Sequence, residues 1–205
     1  CALVERDGRG VLLVGRRGDG KSTASGRLPP PWRVLGDDLA LVVRRPGGGF
    51  AVHPLPTWSA VGPNLEKRAW DIKRGVRLSA IFFLTQAEED EILPAGTAMA
   101  SVVLTDAALT IFRSVRVQDG SLEKTLLGRA AFANAAAMAK SVPTYILRLS
   151  LTGRFWEMIE AILEKGDSPL LHPAAIDGGT RLLNGGKVGR GAIRRDRRNE
   201  DAHAI

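Results

Sequence analysis

The residues best equipped for chemistry lie early in the chain, in Gly15-Arg16-Arg17-Gly18-Asp19-Gly20-Lys21-Ser22-Thr23. They satisfy G-x-x-x-x-G-K-[ST], the Walker A pattern of a phosphate-binding loop. Glycines let the backbone curl until successive amides converge on phosphate oxygens. Lys21 is a point charge for the β- and γ-phosphates of ATP, and Ser22 offers a hydroxyl to Mg²⁺. The segment Gly15–Thr23, with Arg16, Arg17 and Asp19 riding on it, is therefore the candidate nucleotide site. A solvated glycine-rich turn is the competing reading. The apolar Val11–Val14 before the loop and the helix-forming Lys21–Leu28 after it favour phosphate.

A second constellation follows Lys21 by sixteen residues: Gly36-Asp37-Asp38, between Val34-Leu35 and Leu39-Ala40-Leu41-Val42-Val43. Two adjacent acids in an apolar strand are costly unless a cation, a hydrogen bond or catalysis offsets their desolvation. Neighbouring strand residues point to opposite faces, so the pair divides its work. One acid can face the nucleotide and hold Mg²⁺, directly or through water; the other, or the same one after a local bulge, can accept the proton of an acceptor hydroxyl. The alternative is a Gly-Asp-Asp turn between two strands, with solvated or capping acids.

The elements that must position these groups are legible in outline. Leu3–Arg6 and Val11–Val14 read as a hairpin around Asp7-Gly8-Arg9-Gly10. Lys21–Leu28 reads as a short helix stopped by Pro29-Pro30-Pro31. Val34–Val43 is a strand, Gly47-Gly48-Gly49 a tight turn and Phe50–Val52 the returning strand. Pro54 to Ser59 is irregular, Leu65–Lys73 a helix, and Leu78–Leu84 a buried strand. Val102–Leu104 and Ile111–Val117 are weaker strand signals. Ala130–Lys140 reads as a helix, Thr144–Leu149 as a strand, and Phe155–Leu163 as an amphipathic helix with Phe155, Ile159 and Ile162 on one face. Residues 1–165 make one domain; 166–205, rich in Gly and Pro and then basic, read as a mobile tail or an arm that orders on a partner.

Composition narrows the classes. The chain has 205 residues, 44% of them hydrophobic, enough for a core of its own. No apolar run reaches the roughly 18 residues of a membrane span, and Glu5, Arg6 and Asp7 break the early apolar stretch a signal peptide would need. A single cysteine, Cys1, suits a reducing cytoplasm, and a chain opening on Cys suggests processing or a fragment. The net charge of +7 is partly the Arg194, Arg195, Arg197, Arg198 cluster. With one Tyr and six Phe there is no aromatic–basic interleaving, which disfavours nucleic acid as a partner. Other residues invite weighing. His53 reads as an edge or turn histidine, Trp58 and Trp70 as core or groove lining, and Glu88-Glu89-Asp90-Glu91 as a solvated loop. Arg44 and Arg45 suit an acidic acceptor or a solvated strand end, and Arg74 and Arg77 are placed to reach the γ-phosphate or acceptor site.

The string from Gly10 to Val43 resembles the kinase core of HPr kinase/phosphorylase and its small relatives, some of which sit in modified-peptide biosynthesis cassettes. The residues that carry it are Gly10-Val11-Leu12-Leu13-Val14-Gly15, Gly18, Gly20-Lys21-Ser22-Thr23 and Val34-Leu35-Gly36-Asp37-Asp38, with weaker echoes through Val76–Leu84 and Ser141–Tyr145. The resemblance implies an α/β fold with a mixed β-sheet P-loop kinase core, like that of the HPr kinase C-terminal domain and of phosphoenolpyruvate carboxykinase. It implies ATP and Mg²⁺ as cofactors, Lys21 and the loop amides on the triphosphate, Ser22 and Asp37 on the metal, and Asp38 as the base. The product would be a phosphorylated hydroxyl, a serine of a peptide or small protein, and the assembly a homo-oligomer. A nucleotide-binding module without turnover and a small-molecule serine or sugar kinase are the alternatives. The family's histidine near its first strand would align ahead of Cys1, and the Glu-x-Arg-Gly-x-Gly segment of the phosphorylase direction is absent from this sequence. HPr is accordingly not the expected acceptor.

Overall fold

A computed structural model describes residues 1–57, 71–113 and 122–166. They form an α/β protein around one mixed sheet. Strands β1 (Ala2–Arg6), β2 (Arg9–Val14), β3 (Arg33–Gly36), β4 (Ala40–Arg44), β5 (Phe50–Pro54) and β6 (Val76–Gln86) run in the order β3-β1-β2-β6-β5-β4. Strand β8 (Thr144–Leu149) pairs with β6 and with β7 (Glu91–Pro94). Four helices accompany them among the described residues: α1 (Lys21–Arg27), α2 (Thr97–Arg113), α3 (Leu122–Ser141) and α4 (Phe155–Gly166).

The β1–β2 hairpin forms where expected. Asp7 and Gly8 both take positive φ, 52° and 78°, the hand a two-residue hairpin needs to match strand twist. The buried Glu5 carboxylate accepts the Gly8 amide at 2.7 Å and the Arg33 Nε at 2.8 Å, tying the turn to β3.

The sheet is apolar on both faces, as a covered sheet with parallel pairings must be. Val4, Val11, Leu13, Ala80, Phe82 and Leu84 pack with Ala24 of α1 and with Phe155, Ile159 and Leu163 of α4. Leu3, Leu12, Val14, Ile81 and Phe83 pack on the other face with Ala100 and Leu104 of α2 and Ala135 and Ala139 of α3. On β6 the parity switches midway: Val76 and Leu78 share a face with Ile81 and Phe83. The cause is an extra residue, Ser79, because Gly10 faces Leu78 while Val11 faces Ala80.

Three expectations are corrected. Val34–Val43 is two strands, not one, with a bend at Asp37-Asp38-Leu39. Val102–Leu104 and the start of Ile111–Val117 are helical, within α2. Ala100 and Leu104 are buried four residues apart and dock on α3, so tertiary burial at helical spacing overrides the β-branched composition. Glu91 is not in a loop but opens β7, where it pairs with Arg148 at 2.9 Å. On α4 the buried face is Phe155, Ile159 and Leu163, with Ile162 packed at its margin. The proposed helix Leu65–Lys73 falls mainly outside the described residues, as do Trp58, Trp70 and the tail beyond 166; Asp71–Lys73 form a turn. Among the described residues no helix is long and apolar enough to cross a membrane.

Gly10 marks the tightest point of the sheet. A Cβ there would lie 2.6 Å from Val76 Cγ2, 2.9 Å from Val52 Cγ1 and 3.1 Å from the Arg77 carbonyl oxygen. The valines are stiff at χ1 and the carbonyl belongs to the paired strand, so relief requires the strands to separate. Gly10→Ala is expected to lower stability by about 1–3 kcal/mol, read from the midpoint of urea unfolding, with the slope unchanged.

Candidate functional site

Strand direction assembles the site. Strand β2 runs into Gly15, β1 is antiparallel to β2 and begins beside its end, and β3 is antiparallel to β1 and finishes there too. The pairs Ala2–Leu13 and Leu3–Gly36 place the glycine-rich loop and Asp37-Asp38 at one end of the sheet, with only β1 between them. Two strand spacings are about 10 Å, within the span of a triphosphate and its acceptor. Strand β6, parallel to β2, also ends here; its Gln86 Nε2 donates to the Gly18 carbonyl at 2.8 Å.

The loop is held from inside. The Arg16 amide donates to Asp19 Oδ2 at 2.6 Å, and a Cβ on Gly15 would come within 3.0 Å of the Asp19 side chain. Asp19 is thus an internal brace of the loop rather than a group facing outward. Lys21 folds back over the loop, its Nζ 2.9 Å from the Gly15 carbonyl and 2.7 Å from that of Arg16. Gly18 and Gly20 have φ of 95° and 90°, and a Cβ on either would point into open space. Both need glycine for backbone hand. Arg16, Arg17 and Thr23 are exposed, while Ser22 is half-buried at the first turn of α1.

Helix α1 is anchored at its other end. Arg27 donates from Nη1 to the Ser150 carbonyl at 2.7 Å and from Nη2 to that of Gly153, and its guanidinium lies 5.3 Å from the Phe155 ring centroid. The β8–α4 connection therefore fixes α1 and, through it, the loop. Sequence reasoning missed Arg27 and Gln86. The available signals were a basic residue closing the helix and a polar residue ending an otherwise buried strand.

The acids differ in environment. Asp37 is 3% exposed, whereas Asp38 is exposed. The difference in burial arises at a bend rather than from strand alternation. The Cys1 amino group donates to the Asp38 carbonyl at 2.7 Å. Burial lowers that group from its ordinary 8.0 to about 6; the Lys21 cation acts in the same direction, and Asp38 and Asp37 oppose it. Lys21, Asp37 and Asp38 thus all act on the start of β1.

Other candidates lie elsewhere. Arg77 pairs with Arg9 and Ala51 at the start of β6, the far end of β2 from the glycine-rich loop, so it does not face that loop. Arg74 is beside Glu5, 3.6 Å from its Oε2. His53 is in β5, with Nδ1 3.3 Å from the Ile72 carbonyl and its ring over Gly75. Asp90 is part of the β8 end, Oδ1 accepting the Ser150 amide at 2.7 Å. Among the described residues no cluster of three or more His, Cys, Asp or Glu could hold a metal ion by itself. Asp37 and Ser22 offer oxygen donors of the kind Mg²⁺ takes, an ion that keeps waters in its shell.

The fold and site define an α/β protein with a strand–glycine loop–helix unit and an acidic bend at one end of a mixed sheet. The family model for the SynChlorMet cassette protein ScmC matches residues 1–164, and the chain belongs to that family. No curated protein and no solved structure matches it.

The Cys1 amino group is a reporter of this arrangement in the chain that begins there. As a base with a depressed value it penalises the fold below about pH 6, and stability rises with pH as the penalty is relieved between about 6 and 8. NMR titration is expected to show Lys21→Ala raising its value and Asp38→Asn lowering it. A value near 8.0, indifferent to both changes, would contradict the geometry.

Proposed function

We propose that this protein is an ATP- and Mg²⁺-dependent phosphotransferase, similar to the HPr-kinase-like kinases, acting on the hydroxyl of a peptide or small protein, with serine as the expected acceptor. The observation that carries the reading is the sheet order β3-β1-β2, which brings the glycine-rich loop and the Asp37-Asp38 bend to one end of the sheet. The family's cassette description supports a setting alongside other products of one pathway.

The loop amides around Gly18 and Gly20 cradle the phosphates, and Lys21 turns from its loop carbonyls to the β- and γ-phosphate oxygens. Ser22 and Asp37 would hold Mg²⁺, which would supply neutralisation of charge on the phosphates. Asp38, exposed beside them, orients the acceptor hydroxyl and takes its proton. The acceptor oxygen forms a bond to the γ-phosphorus as the bond to the β–γ bridging oxygen breaks, and ADP leaves. The brace at Asp19 and the anchor at Arg27 keep the loop in one geometry, which limits the reorganisation needed at reaction.

Calorimetry with Mg²⁺-ATP and phosphate-release kinetics test the reading. Lys21→Ala is expected to weaken ATP binding by about tenfold or more. Asp38→Asn is expected to keep binding and cut turnover by about 10²–10⁴-fold. Absence of ATP binding by the unaltered chain would overturn the proposal, and equal turnover in Asp38→Asn would remove Asp38 from its role.

A further inference from the structure

The hairpin that follows the acidic bend has a feature the phosphate site does not use. Strand β4 pairs only with β5 among the described residues, so its other side is an edge of the sheet. The Leu55 amide donates to the Leu39 carbonyl and the Arg45 amide to the Gly49 carbonyl. Because antiparallel ladders alternate, Leu41 and Val43 also turn their main-chain groups to β5, and Ala40, Val42 and Arg44 turn theirs outward. An open edge invites another strand unless it is blocked, and the five residues of β4 carry neither proline nor bulge.

The side chains add direction. Ala40 and Val42 pack on the core, whereas Leu41 and Val43 are 50% and 42% exposed. Arg44 and Arg45 are exposed at the far end, and from Leu39 to Pro54 the hairpin contains no acidic residue. Asp38 stands two residues ahead of Ala40. The edge therefore runs from the proposed base, past an apolar step, to a pair of cations.

We infer that the β4 edge is the docking track for the acceptor peptide, which adds to the sheet as an extended strand and presents its hydroxyl at Asp38. The inference rests on the phosphotransferase reading for the fate of that hydroxyl. Main-chain groups of Ala40, Val42 and Arg44 bind the peptide backbone, Leu41 and Val43 meet alternate apolar side chains, and Arg44 and Arg45 take an acidic residue. Six residues separate Asp38 from Arg44, about 20 Å of extended chain, so the acid lies about six positions from the acceptor.

The test is selection of peptides of about sixteen residues, randomised around a fixed central serine, on the full chain. Enriched sequences are expected to carry Asp or Glu about six positions from the serine, with apolar residues alternating between. Val42→Pro removes an outward amide without removing a β4–β5 hydrogen bond, and edge strands tolerate proline. It is expected to weaken the selected peptides by about tenfold while ATP binding is unchanged. Replacing both Arg44 and Arg45 by Glu should invert the preference to Lys or Arg, with an unaltered melting temperature confirming the fold.

No enrichment, or enriched peptides indifferent to Val42→Pro and to the charge reversal, would overturn the inference. So would a homodimer that Val42→Pro dissociates, since a second copy would then occupy the edge, or preferential binding of single-stranded nucleic acid. Lys21→Ala separates the two readings: it should weaken ATP binding by about tenfold or more and spare peptide binding. Peptide selection by a chain that binds no ATP would sink the kinase and leave the docking track standing.

Discussion

Strand β1 is paired on both edges and buried on both faces, and the rest of the molecule depends on that confinement. Ala2, Leu3 and Val4 are fully buried, and Glu5 is 1% exposed. Its two larger apolar side chains each contribute about 1.5–3 kcal/mol by leaving water. Glu5 opposes folding by losing its hydration, and the Gly8 amide with the Arg33 and Arg74 guanidiniums offset that cost. Confinement on both edges fixes the register of β2 and β3 together. A one-residue slip on either side would send an apolar row to the wrong face and separate the loop from the acidic bend.

Around that spine the glycine-rich loop is held by short-range and long-range contacts of different kinds. Asp19 closes the loop on itself, whereas Gln86 and Arg27 connect it to β6 and to the β8–α4 connection. The second face of the sheet serves another purpose. Helices α2 and α3 cover it with small residues, Ala100, Ala135 and Ala139, that permit close packing. Hydroxyls inside α2 bond back along the helix, Ser101 to the Thr97 carbonyl at 2.7 Å and Thr105 to that of Ser101 at 2.6 Å, so polar groups near the core carry no desolvation debt.

The β4–β5 hairpin forms one margin of the sheet. It joins β6 through two residue pairs, Ala51–Arg77 and Val52–Val76, and its inner residues share the core of the α2–α3 face. It is also where the two halves of the proposed chemistry meet, since the acid bend leads straight into it. A Cβ on Gly36 would lie 3.8 Å from Pro54 Cβ, so the end of β5 rests against the bend and limits its movement.

Local sequence determined what depends on neighbours in the chain. The hairpin at Asp7-Gly8, the glycine loop ahead of α1, the strand Thr144–Leu149 and the helix from Phe155 follow from turn chemistry, proline stops and apolar period, each acting over a few residues. The candidate residues of the site were legible for the same reason, since the Walker A pattern is contiguous. The tertiary structure alone decided the rest. It broke Val34–Val43 into two strands, because Gly36 must end against Leu3 while Ala40 begins pairing with Pro54. It made Val102 and Val103 helical because their neighbours Ala100 and Leu104, four residues apart, are buried, and it carried Arg74 and Arg77 to the end of the sheet away from the glycine-rich loop. It recruited Arg27 and Gln86 across long stretches of chain. Those outcomes rest on pairings between distant segments, whose energies no local propensity contains.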